Sequence, residues 1–150
     1  MFIPELSLKE IKIKVEKALK LLHEKDNFLL EVNASERSIT CKLASYLQEE
    51  FEGYDVDSEY NRQGPNSDPK TVNINYSKRR VYPDIIIHHR LDSENNLLAI
   101  EVKKSINPAT KKAGDDLNKL VAYKNDLDYK YGLFLILYKG GKTPYIKVLS

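Results

Sequence analysis

Three residues within the stretch 82–104, YPDIIIHHRLDSENNLLAIEVKK, have types and spacing suited to chemistry: Asp84, Glu101 and Lys103. Each lies in or beside a short apolar run, where an ordinary core strand carries no charge. Side chains alternate along a strand, so Glu101 and Lys103 share one face, about 6.5 Å apart, while Leu98, Ile100 and Val102 face a core. Antiparallel pairing of the two runs brings the start of the first to the end of the second, and Asp84 to Glu101. Two converging carboxylates repel, and one takes up a proton unless a cation lies between them. A hard divalent cation such as Mg²⁺ accepts one or two carboxylates and keeps several waters. A lysine beside it can orient an attacking water or offset charge growing on a phosphate. Such a layout suits phosphodiester hydrolysis. The same residues also fit a structural ion pair of Lys103 with Asp84 or Glu101, and spacing alone leaves both readings open.

The rest of the chain must position these groups. A length of 150 residues suits one domain, and a 41% hydrophobic share is enough for a core. Ser7 and Glu10 have capping-box spacing. Leu8, Ile11, Val15, Leu19 and Leu22 then predict an amphipathic helix ending at His23, with Lys12, Lys14, Lys17 and Lys20 on its other face. A second helix is expected over 34–52, burying Ile39, Leu43, Leu47 and Phe51. Glu36 falls on or beside that buried face, where a carboxylate is costly unless it is paired or bound to a cation. The alternative is a first-turn glutamate favoured by the helix dipole. Cys41, in the same helix, reads as a packing residue.

Gly53 stops that helix, and alternation predicts a strand over 54–60. Residues 61–70 (NRQGPNSDPK) read as a loop, and 72–76 as a short strand or its extension. Lys78, Arg79 and Arg80 follow, a basic run whose position before Asp84 suits phosphate contact. Strands are expected over 82–89 and 97–103, a helix over 115–126 burying Leu117, Leu120 and Val121, and strands over 133–138 and 145–149, with a turn at Gly140-Gly141. The fold class is therefore α/β: a central mixed β-sheet flanked by α-helices. His88 shares the Asp84 face and is a possible site neighbour, whereas His89 points the opposite way.

The net charge of +2 and pI of about 8.5 are too mild to argue nucleic-acid binding by themselves. Cys41 is the only cysteine, which excludes an internal disulfide and a cysteine zinc site and fits a reducing, cytoplasmic setting. No apolar run approaches the length of a membrane span, and no signal peptide is evident.

Pro83-Asp84 followed by Glu101-Val102-Lys103 resembles the signature of the PD-(D/E)XK nuclease superfamily. The resemblance implies a restriction-endonuclease-like core ordered α-β-β-β-α-β, here spanning 34–138, with an extra N-terminal helix and C-terminal strand. It implies Mg²⁺ or Mn²⁺ bound by Asp84 and Glu101 with the Val102 carbonyl and Glu36, and Lys103 positioning water. It further implies Asp116 and Lys119 as polar candidates on the following helix, and Lys104, Lys119, Arg37 and Arg62 as contacts to the backbone of a DNA partner. A homodimer is plausible, with the first helix and last strand free to form it. The competing expectations are a catalytically inactive binding module that keeps the fold, and an interaction protein whose charges form only an ion-pair network.

Overall fold

Ser7 caps the first helix, α1 (Leu8–Glu31), through the expected reciprocal bonds with Glu10. The computed structural model describes residues 5–140 and 142–150. Ile11, Val15, Leu19 and Leu22 are buried as their spacing predicts. The helix does not end at His23. No glycine or proline follows to stop it, and it continues through a kink at Asp26 (φ −129°, ψ 24°) to bury Leu30. His23 is therefore an exposed mid-helix residue, not one at a C-terminal dipole.

Ser35 caps α2 (Glu36–Glu50), which buries Ile39, Leu43 and Leu47, with Phe51 buried just beyond. Cys41 is exposed. Two positions past Ile39 is nearly the opposite side of a helix, so the packing role expected for it does not hold. Gly53 (φ +91°) then turns the chain into β1 (Asp55–Ser58).

Next comes a two-stranded hairpin of β2 (Thr71–Ile74) and β3 (Ser77–Arg80), which stands apart from the main sheet. The remaining elements are β4 (Ile85–His88), β5 (Leu98–Lys104), α3 (Lys111–Leu127), β6 (Tyr131–Leu137) and β7 (Tyr145–Leu149). The five-stranded sheet runs β1-β4-β5-β6-β7. Only β5 and β6 are parallel, joined by the α3 crossover, so the sheet is mixed and flanked by helices, as expected. Gly140 (φ +67°) carries the turn after β6, while Gly141 lies outside the described residues.

Alternation sorts the sheet's side chains into two cores. Ile85, Ile87, Leu98, Ile100 and Val102 pack toward α1 and α2. Ile86, Ala99, Phe134 and Ile136 pack with Ala113, Leu120 and Tyr123 of α3 and with Val72 of the hairpin. Burying each large aliphatic side chain contributes about 1.5–3 kcal/mol, which fixes the register of β4 against β5. Gly132 lets α3 approach β6 closely, because a Cβ there would stand 3.3 Å from Leu120 Cβ. Val121, expected inside, is exposed; Tyr123 takes the inward position. Among the described residues no helix is long and apolar enough to cross a membrane.

Candidate active site

The β4–β5 register pairs Ile85 with Ile100, which sets Asp84 beside Glu101 at the end of the strand pair. The Asp84 amide donates to Glu101 Oε2 at 3.1 Å, and the Val102 amide donates to Asp84 Oδ2 at 2.8 Å. The convergence expected from alternation is therefore present. Glu101 is 3% exposed, and its Oε1 accepts from the Tyr123 hydroxyl at 3.0 Å. Tyr123 was not foreseen. Its signal was available on α3, where it lies three residues past Leu120 and seven past Asp116, on the same helical face.

Burial raises the Asp84 carboxyl above its ordinary value, against the lowering effects of its hydrogen bonds and of Lys103. Burial, followed by the neighbouring Asp84 charge, pushes Glu101 well above the carboxylate range. The pair thus favours holding a proton between them, as two buried like charges must. Burial and the Glu101 charge likewise raise the Tyr123 phenol, which keeps it a donor.

Lys103 does not form the structural pair with Asp84 or Glu101 that spacing left open. Its ammonium lies 3.5 Å from Asp116 Oδ2 and 3.9 Å from Glu36 Oε1. Burial depresses the lysine, but Asp116 and Glu36 outweigh it and raise the pKa, so Lys103 stays a cation. Asp116 is 3% exposed, and Lys119 lies 3.5 Å from its other oxygen. Its Oδ2, buried, faces the Lys103 ammonium, so Asp116 bridges the two lysines. Glu36 Oε2 accepts from the Lys104 amide at 3.1 Å, tying the first turn of α2 to the end of β5. Glu36 and Asp84 line a common cavity with Thr40, Cys41, Ser58, Glu59 and Arg37.

The basic residues expected to meet nucleic acid are placed unevenly. The Lys104 ammonium bonds Asn33 Oδ1 and the Ala34 carbonyl, so it fastens the start of α2 to β5. Arg37 is ion-paired with Glu59 at 2.6 Å, and Lys119 with Asp116. Arg62 is exposed and donates to its neighbour's carbonyl, Asn61 O, at 3.1 Å. His88 is not at the site. Its Nε2 lies 2.7 Å from Asp57, near the opposite end of β4.

Among the described residues no three His, Cys, Asp or Glu side chains are gathered as a ready metal cage. The donor chemistry still fits a hard cation. Two carboxyls held near one another, both raised toward protonation, would be relieved by one, and Mg²⁺ needs only one or two carboxylates beside its waters.

No protein-family profile matches this sequence, and no curated protein matches it. A solved structure described as "Crystal structure of SSO0001" is similar at 15% identity and a TM-score of 0.42, covering 97% of this chain and 69% of that chain.

Proposed function

We propose that this protein is a metal-dependent nuclease of restriction-endonuclease-like fold, hydrolysing phosphodiester bonds of DNA. The observation that carries the reading is the buried Asp84–Glu101 pair, raised toward a shared proton, with the Lys103 ammonium held on the same face. A purely structural cluster would pair these carboxylates with Lys103; here the lysine is held by Asp116 and Glu36.

In this reading Asp84 and Glu101 hold Mg²⁺ or Mn²⁺, with the Val102 carbonyl and Glu36 as further oxygens. When bound, the cation offsets the carboxylate charge and supplies Lewis acidity at the phosphate. Tyr123 fixes one Glu101 oxygen, so the other stays turned toward Asp84. Asp116 and Glu36 keep Lys103 charged and in place. Lys103 then orients a water and opposes the negative charge that develops on the phosphate oxygens. Lys104 acts indirectly, by fastening α2 and Glu36 to the end of β5.

The test is incubation of plasmid and single-stranded DNA with the protein in Mg²⁺, Mn²⁺ or EDTA, beside Asp84→Ala and Lys103→Ala. Cleavage that needs metal and is lost in both variants is the expected result. Folded protein that binds DNA without cutting it would replace this reading with a binding module. Absence of both activities would leave only an ion-pair network.

A further inference from the structure

The cations nearest the site are already engaged: Lys103 and Lys119 by Asp116, Arg37 by Glu59, Lys104 by Asn33 and Ala34. Lys78, Arg79 and Arg80 are different. All of β3 is exposed, and among the described residues none of its three cations has an ion-pair or hydrogen-bond partner for its side chain. The strand register shows how they are presented. Lys78 pairs with Asn73 and Arg80 with Thr71, on the face opposite buried Val72. Those two cations stand about 6.8 Å apart along the strand.

The hairpin itself is firmly seated. Val72 joins the α3-side core, and the Asn73 amide donates to Asp126 Oδ2 of α3 at 2.8 Å. At the hairpin's base, the Val81 amide donates to the Lys70 carbonyl at 3.1 Å, and the Asn61 side chain bonds the same carbonyl. Only Val81, Tyr82 and Pro83 separate Arg80 from Asp84. The backbone therefore keeps the Cα atoms of Arg80 and Asp84 within about 14 Å of each other.

The tip is unusual for its turn. Asn75 (φ 51°) and Tyr76 (φ 62°) are the two residues between the strands, both at positive φ. This is the geometry in which glycine normally follows asparagine, because a side chain there is strained by about 1–2 kcal/mol. Tyr76 occupies that position with its side chain wholly in water, at 107% relative exposure. An aromatic held at an unfavourable φ, touching no core, is poorly accounted for by the stability of this hairpin.

We propose that the β2–β3 hairpin is the arm with which the protein grips a nucleic-acid strand. Lys78 and Arg80 meet its phosphates from the face opposite Val72, exposed Arg79 adds its charge from the other face, and Tyr76 stacks on an unpaired base. The substrate would then carry a single-stranded segment beside the cleavage site. The nucleic-acid class of this partner rests on the nuclease reading, but the two fail separately. The bland account of β3, that charge keeps an unpaired edge strand from aggregating, explains the lysine and arginines but not Tyr76.

The test is binding of a fluorescent single-stranded oligonucleotide and its matched duplex, in EDTA so that neither is cut, across a salt series. The triple variant Lys78→Gln, Arg79→Gln, Arg80→Gln is compared with Lys9→Gln, Lys12→Gln, Lys17→Gln, which removes the same charge from exposed α1 positions. The hairpin triple should weaken binding more than about tenfold and lower the salt slope by about 2, while the α1 triple changes neither substantially. Tyr76→Gly, which suits the turn, should weaken single-strand binding about fivefold or more and leave the duplex unchanged. Equal losses in both triples would mean net charge alone is responsible and would overturn the proposal. So would unchanged binding in the hairpin triple, or no binding by the unaltered protein. Hairpin-dependent binding without metal-dependent cleavage would refute the nuclease reading and leave the arm standing.

Discussion

At one end of β4, Asp57 meets His88 and Arg90; at the other, Asp84 meets Glu101. The first carboxylate is fully supplied. His88 Nε2 lies 2.7 Å from Asp57 Oδ2, Arg90 Nε donates to the same oxygen at 3.0 Å, and Arg90 also bonds Oδ1. Burial alone would raise this carboxyl, but those partners outweigh it and hold it down to about 2. The second pair is the reverse. Burial raises Asp84, burial and Asp84 raise Glu101 well beyond its ordinary value, and the nearby lysine is taken by Asp116. A carboxylate whose partners come from its own chain is complete as it stands. Carboxyls pushed toward protonation at one end of a rigid sheet would lower their free energy by accepting an outside cation, and the proposed reading takes the Asp84–Glu101 end as such a site and the Asp57 end as a brace.

Substitution at the two ends gives the sharpest separation. Asp84→Asn or Lys103→Ala should reduce metal-dependent DNA cleavage at least about 10²–10³-fold, whereas Asp57→Asn should leave kcat within about twofold while the protein is folded. Comparable rate losses at both ends would erase the distinction. Next in size is stabilisation by metal. Mg²⁺ at about 100 times its Kd should add about 2.7 kcal/mol, read as a rise in Tm, and Asp84→Asn should abolish the rise. If Asp57→Asn abolishes it equally, the cation lies elsewhere.

Asp57→Ala should lower stability by about 2 kcal/mol, because it strips a charged acceptor from buried His88 and from Arg90. Denaturant unfolding measures this, and a neutral result would show that the brace carries nothing.

The smallest effect is in pH dependence without metal, where the two ends should have opposite signs. Glu101 has its folded pKa raised above its ordinary value of 4.5, so the native state holds a proton that the unfolded chain loses. Its contribution is present below the unfolded value and is lost as pH rises through the folded one. Glu101→Gln should flatten that decline and raise Tm at neutral pH by a few degrees, on the order of 1 kcal/mol. Asp57, lowered from 3.8 to about 2, contributes above the first value and loses that contribution as pH falls through the second. Tm curves for Glu101→Gln and Asp57→Asn that bend in the same direction would contradict the assignment.

Much of this was legible from local pattern. The capping box, the buried faces of α1 and α2, the β4–β5 hairpin and the meeting of Asp84 with Glu101 all follow from periods of 3.6 and 2. The α1 terminus was misplaced because an apolar stripe fades at a kink without the chain leaving the helix. Cys41 and Val121 were placed inside because their neighbours are, although each lies off the buried face of its helix. Local spacing also offered no way to connect His88 with Asp57, which are 31 positions apart.

What the sequence determined by itself was which residue types stand on which face of which strand. Alternation and antiparallel pairing act over a few residues and tolerate few alternatives once one face is buried. Only the tertiary structure decided which charge each of those residues meets. Lys103 went to Asp116 of α3 and Glu36 of α2, Lys104 to the start of α2, and Tyr123 of α3 to Glu101, none of them a neighbour within β5 itself. Among the described residues, the same packing left the cations of β3 without a partner. Such choices depend on distances between elements, and burial strengthens or penalises them severalfold through the local dielectric. No periodicity within one segment carries that information.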